Sequence, residues 1–309
     1  MLSHKTTLVF SSGGINGIYF IGCLKALEET DILHNVTCIR GSSAGAFFGT
    51  LVSLRYTATE LEEALLSIDT GSLINIKIDN ILSFLDTFGI DTGEKLQKVV
   101  EVFLIQKMGR AKVTFAELYA WNKIHLVIVG TCISSSSLSY FDHLRTPNMS
   151  VSTAVRISSS IPFLFTPVQY KEVVYIDGGV KCHLPMPECD TDQPSTSHNV
   201  IGFTICRECT DHMETIFTYM NAILDCMNKE QKTKSSKPEL RSWIIPIQTS
   251  HNSFSFEMCT DSKKEAIQSG YTITQTYLST HDIDTKHNDK EKISKCLIRK
   301  RMLGPQTLG

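Results

Sequence analysis

No run of 18 uncharged apolar residues occurs anywhere in this chain, so no segment reads as a membrane-spanning helix. Charge of one sign is also lacking. The 30 Lys and Arg stand against 32 Asp and Glu, a net charge of -2, which removes the broad basic surface that nucleic-acid binding needs. The opening Met1-Leu2-Ser3-His4-Lys5 runs into a strand-like segment with no apolar core of secretory type. The expectation is therefore a cytoplasmic protein, at most peripheral to membranes, with no nucleic-acid partner. Ten cysteines are present without a pairing pattern, scattered through strand-like and helix-like segments, which fits reduced thiols better than a disulfide framework. One Cys206-x-x-Cys209 with His212 nearby lacks a second ligand pair and is a weak zinc signal, so no metal is expected. What remains is 309 residues, 42% of them apolar, enough to bury a sizeable core.

The most informative stretch is Val36 to Phe48. A short β-branched run enters Gly41-Ser42-Ser43-Ala44-Gly45, and a proline-free apolar segment continues to about Leu54. Strand, sharp turn and helix in that order form the context of a nucleophile elbow. Gly41 and Gly45 permit the close packing of strand on helix, and Ser43 sits at the strained point with its hydroxyl exposed. An ordinary Gly/Ser turn would read the same in isolation.

Upstream, the strand Thr7 to Phe10 leads into Ser11-Ser12-Gly13-Gly14-Ile15-Asn16-Gly17, and a helix is expected over Ile18 to Glu29. Such a loop can aim several backbone N–H groups at an anion. A dinucleotide site would need G-x-G-x-x-G and an acid near the end of the second strand, where this chain has Arg40-Gly41. An oxyanion hole fits better, because the next strand delivers Ser43 to the same sheet edge.

Downstream, helices are expected over Glu60 to Ile68, Asp79 to Phe88, Glu94 to Met108, Phe115 to Trp121, Ser152 to Ser160 and Met213 to Met227. Strands are expected over Ile124 to Val129, Leu138 to Phe141, Val173 to Ile176, Val200 to Cys206 and Trp243 to Ile247. The segment from Leu73 to Phe88 is apolar over much of its surface, which reads first as core and second as a flap meeting lipid. His125 reads as a core histidine. Ser262-Lys263-Lys264-Glu265 reads as a capping box for a last helix to about Leu278. The strand at Val173 ends at Asp177-Gly178-Gly179. An acid at the end of a strand taken as parallel, with two glycines leaving room beside it, is a site arrangement, although an Asp-Gly turn is the plain alternative.

Taken together, the glycine loop at Ser11–Gly17, the elbow at Gly41–Gly45, the segment Ser159–Pro167 and Asp177–Gly179 resemble, in order, the signatures of patatin-like phospholipases. Phe256 through Lys263 to Gly270 is similar to that family's C-terminal pattern. The resemblance implies a three-layer α/β/α fold with a mainly parallel central sheet. It also implies a catalytic core over residues 7–190, completed in the same globule by 191–280, with a polar and basic tail over 281–309. Ser12 stands where the family usually has glycine, Asn16 where it has arginine or lysine, and His183 where asparagine is common.

By the same resemblance, Ser43 is the nucleophile and Asp177 the proton acceptor of a dyad that hydrolyses acyl esters of glycerolipids. Gly13, Gly14 and the Asn16 amide line the oxyanion hole, and Gly17, Gly178 and Gly179 shape its surroundings. No metal or cofactor is needed, and the partner is a lipid substrate met at a lipid surface. Two other readings stand beside this one: an α/β-hydrolase with a Ser-Asp-His triad, and a lipid-binding module that has lost catalysis.

Overall fold

The computed structural model describes residues 5–74, 84–190, 199–207, 219, 222–223, 241–249, 257–281 and 283. Along the chain run β1 (Thr6–Phe10), α1 (Tyr19–Glu28), β2 (Val36–Ser42), α2 (Ala44–Ser53), α3 (Ala58–Ser67), α4 (Phe84–Thr87), β3 (Gly89–Asp91), α5 (Glu94–Met108), α6 (Phe115–Asn122), β4 (His125–Cys132), β5 (Ser137–Phe141), α7 (Val151–Ser158), β6 (Phe163–Phe165), β7 (Val168–Tyr170), β8 (Val173–Asp177), β9 (Asn199–Arg207), β10 (Arg241–Thr249) and α8 (Thr260–Thr280). The main sheet has the order β10-β9-β1-β2-β4-β8-β7, with β5 also paired to β4. Its first five strands are parallel, as a mainly parallel α/β sheet requires. Strands β9 and β10, from beyond residue 190, extend the sheet that begins at β1.

Continuous apolar runs mark the central strands because both of their faces are covered. Phe10 of β1 stacks on Phe203 of β9 at 5.4 Å and meets Phe20 of α1 edge-on, while Phe20 meets Phe48 of α2. Helices α1 and α2 therefore cover the Phe10 face. The neighbouring Val9 packs on the opposite face with Val200 and Met186, from the segment that follows β8. Helices α3 and α6 both begin at capping boxes, Thr57 with Glu60 and Thr114 with Glu117. Lys263 of α8 is buried, and its ammonium donates to the carbonyls of Leu65 and Ile68 at the end of α3.

Several expectations change. Strand β8 is antiparallel to β4, so the acid at its end does not sit at the end of a parallel strand. Helix α8 starts two residues before Ser262 and is capped by Cys259, whose sulfur accepts from the Ser262 N–H. Strands β3 and β6 form a small parallel sheet of their own; three-residue strands are too short to show a period. Of the apolar 73–88 segment, residues 75–83 lie outside the described residues. Leu85 and Phe88 are 80% and 63% exposed, so the core reading does not hold for them. The helix expected over 213–227, together with Cys209 and His212, falls largely or wholly outside the described residues.

Buried Asp142 anchors the turn after β5. It accepts from the Leu144 and Arg145 N–H groups and from the Arg145 guanidinium, with the His125 ring 3.6 Å away. Burial alone would raise its carboxyl, but these neighbours together hold it well below the usual carboxylate range. A carboxyl depressed on folding stabilises the fold above its unfolded pKa of about 3.9, and that contribution is lost as pH falls below it. Urea midpoints are expected to fall steeply below about pH 4, and Asp142→Asn is expected to flatten that dependence. An unchanged pH profile in the variant would contradict this.

Candidate active site

Ser43 occupies the junction of β2 and α2 with φ 53° and ψ -119°, a left-handed conformation that L side chains rarely adopt. Its carbonyl accepts from the Ala46 and Phe47 N–H groups and so opens α2, while its own N–H donates to Ser158 Oγ at 2.9 Å. The flanking glycines are required by close approach. A Cβ on Gly41 would lie 2.2 Å from the Gly45 carbonyl oxygen, and one on Gly45 would lie 2.2 Å from that of Phe10. Gly45→Ala is accordingly expected to destabilise the fold by about 3 kcal/mol or more, read from a denaturant titration. A shift under about 1 kcal/mol would show that the elbow can relax.

The register of the sheet explains how Asp177 reaches this point from 134 residues downstream. Residues 130–132 of β4 pair with β5 on one edge and with β8 on the other. Residues 125–129 pair with β2, and since 128 and 129 also pair with β5, β2 and β8 must share an edge. They approach each other along it head to head. Ser42 opposes Val129, and Asp177 opposes the very next residue, Gly130. A Cβ on Gly178 would come 2.4 Å from the Val129 carbonyl oxygen, so the turn after Asp177 lies directly on β4.

Both carboxylate oxygens of Asp177 are engaged. Ser43 Oγ–H donates to Oδ2 at 2.6 Å, and the Gly179 N–H donates to Oδ1 at 2.6 Å. The Asp177 N–H donates to the Ser160 carbonyl, and Thr131 Oγ1 donates to the Asp177 carbonyl. Ser43 and Asp177 are 4% and 3% exposed. The pair is thus held by two fixed backbones and shielded from water, as a nucleophile and its base need to be.

In the glycine loop, Gly14 lines the same cavity as Ser43 and has φ 56°. Neither the Gly13 nor the Gly14 N–H finds an acceptor among the described residues. Gly17 packs where a Cβ would meet Phe48 and Ala44 of α2, tying the loop to the elbow helix. Asn16 differs from expectation. Its side chain is buried, its amide nitrogen donates to Thr249 Oγ1 at the end of β10, and it is not part of the cavity wall. It anchors the loop to the sheet instead of facing an oxyanion.

Ser43 and Gly14 open into a cavity lined almost wholly by apolar side chains. Its lining includes Ile15, Ile18, Phe47, Leu65, Leu96, Val99, Ile161 and Phe165. The Phe165 side depends on Arg156 of α7. Its buried guanidinium donates to the carbonyls of Thr92 and Thr166 and to Ser160 Oγ, fixing the β3–β6 sheet beside the site. Burial pulls its pKa down to about 10, leaving it charged at neutral pH. Arg156 and Ser158 carry no sequence signal of these roles, since each reads only as a polar residue in a helix. Among the described residues, His183, in the segment after β8, meets Ser12 Oγ through Nδ1.

Residues 8–189, more than half of the chain, match the Patatin family, described as patatin-like phospholipase. The chain belongs to the patatin-like phospholipase family. It is similar to the probable lipid hydrolase 463L of Invertebrate iridescent virus 6, 29% identical over 186 residues that cover 59% of this chain and 62% of that protein. It is also similar to the uncharacterized protein R571 of Acanthamoeba polyphaga mimivirus, 27% identical over 280 residues that cover 87% of this chain and 92% of the relative. The fold resembles VipD from Legionella pneumophila with a TM-score of 0.59 at 16% identity, over 90% of this chain and 67% of VipD. As a patatin-like chain it stands among lipid hydrolases, and the glycine loop, elbow and Asp177 turn all fall inside the matched residues.

Proposed function

We propose that this protein hydrolyses fatty acyl esters of glycerolipids, in the manner of a phospholipase A, through a Ser43–Asp177 dyad and an acyl-enzyme intermediate. One observation carries the reading: the 2.6 Å hydrogen bond to Asp177 Oδ2 from the Oγ of Ser43, a residue that lines an apolar cavity. Asp177 takes the hydroxyl proton as Ser43 Oγ attacks the ester carbonyl, and the Gly13 and Gly14 amides receive the developing oxyanion. Each such donor is worth about 10²- to 10³-fold in rate. The proton passes to the leaving alcohol as the C–O bond breaks. Water then repeats the sequence on the acyl-Ser43 ester, returning the proton and releasing a fatty acid. The dyad reading is favoured over a triad because the Ser43 hydroxyl donates directly to Asp177, with no histidine between them.

A lipid-surface approach is supported by exposed Leu85 and Phe88 together with Phe163, 52% exposed, which lies in the same strand as the cavity residue Phe165. Among the described residues no helix is long and apolar enough to cross a membrane. Purified protein incubated with a panel of phospholipids and triacylglycerols is expected to release free fatty acid, identified by mass. No release from any of them, by protein that remains folded, would favour the non-catalytic lipid-binding reading. Filling the cavity with Val99→Phe is expected to move preference toward shorter acyl chains, with kcat/KM for a long chain falling about tenfold. An unchanged chain-length profile would place the acyl chain elsewhere.

A further inference from the structure

Two of the positions at which this chain departs from its family pattern, Ser12 and His183, are each other's partner. Ser12 Oγ and His183 Nδ1 lie 2.6 Å apart across 171 residues, and the Ser12 N–H donates to the His183 carbonyl at 2.8 Å. We propose that they form a positioning pair that sets the oxyanion loop against the turn carrying Asp177. The inference rests on the Ser43–Asp177 reading given above.

The other nitrogen of the ring defines the direction of the bond. His183 Nε2 lies 3.2 Å from the Ile205 carbonyl oxygen, which can only accept, and 3.2 Å from Thr204 Oγ1. In the neutral ring Nε2 therefore carries the proton, Nδ1 is the acceptor, and the Ser12 hydroxyl donates to it. Both ring nitrogens are thereby used to tie Ser12 to β9. The same strand holds the preceding residue from two sides: the Ser11 N–H donates to the Phe203 carbonyl, and the Ile205 N–H donates to Ser11 Oγ.

Ser12 also faces the turn after β8. A Cβ on Gly179 would lie 2.8 Å from Ser12 Cβ, 2.9 Å from Ser12 Oγ and 2.9 Å from Asp177 Oδ1. Gly179 is the residue whose N–H holds Asp177 Oδ1, while the second oxygen holds Ser43. A shift of Ser12 thus moves the Gly13 and Gly14 amides on one side and loosens the seat of the base on the other. Because the Asn16 amide is committed to Thr249, placement of the backbone amides matters more to this site. The hydroxyl–imidazole bond fixes that placement where a glycine at position 12 could make no such bond.

Misplacing catalytic groups by about 1 Å lowers rates by up to about 10²-fold. Ser12→Ala and His183→Ala are each expected to lower kcat on a phospholipid by about 10- to 100-fold with KM changed less than about twofold, and the double variant should lose no more than the worse single one. His183→Asn, which keeps a side-chain partner where Nδ1 stood, is expected to restore kcat to within about threefold of the unmodified protein. The same ranking is expected for the rate at which an alkyl fluorophosphonate labels Ser43. Equal kcat in Ser12→Ala, His183→Ala and the unmodified protein, or losses that multiply in the double variant, would overturn the pair while leaving the dyad standing. An unmodified, folded protein that neither hydrolyses lipid nor takes the label would overturn both. Should the alanine variants not fold, ¹⁵N spectra of the unmodified protein decide: neutral His183 protonated at Nε2 supports the pair, and protonation at Nδ1 overturns it.

Discussion

Replacing Ser43 with alanine is expected to abolish lipid ester hydrolysis, lowering kcat by at least about 10⁴-fold, because the nucleophile is removed and the oxyanion hole and lipid binding alone leave only residual catalysis. The fold is expected to survive. Among the described residues the Ser43 hydroxyl bonds only to Asp177, and the contacts that shape the elbow run through its backbone: the N–H to Ser158 Oγ and the carbonyl to Ala46 and Phe47. Alanine would occupy the same left-handed conformation at similar strain. Fatty acid release and the thermal midpoint, measured on one preparation, separate the two effects. A variant that stays folded and keeps a tenth of the activity would place the nucleophile elsewhere.

Asp177→Asn is expected to produce the second large loss, about 10³- to 10⁴-fold in kcat. The substitution keeps the shape of the side chain and a carbonyl oxygen to accept from Gly179, so the turn after β8 should hold. It removes the group that takes the hydroxyl proton, since an amide nitrogen facing Ser43 can only donate to its oxygen. Binding should change little, since the cavity wall is otherwise untouched. The expected signature is a collapse of kcat with KM within about threefold. A fall in affinity with kcat preserved would make Asp177 a structural residue of the turn and not the base.

The two side chains at the centre of these predictions were legible in the sequence because each lies beside glycines that only a tight backbone approach demands. Gly41 and Gly45 face carbonyl oxygens at 2.2 Å, and Gly178 faces that of Val129 at 2.4 Å. Helix α5 was equally plain, since Gly93 and Gly109 bracket its 15 residues. The direction of β8 was not legible. An apolar pentapeptide reads alike in a parallel or an antiparallel strand, and only the pairing of Gly130 with Asp177 decides it. The role of Asn16 is not legible either, because loop position says nothing about which way a side chain turns; burial against Thr249 does. Ser158, Arg156 and the Ser12–His183 bond depend on contacts between residues far apart in the chain, which leave no local pattern.

That Ser43 is a nucleophile activated by Asp177 is tested most directly by treating the full chain with a long-chain alkyl fluorophosphonate and locating the adduct by peptide mass spectrometry. The account predicts one adduct, on Ser43, absent from Ser43→Ala and formed at least about 10³-fold more slowly in Asp177→Asn. An adduct on another residue, no adduct on folded protein, or an undiminished rate in Asp177→Asn would contradict it.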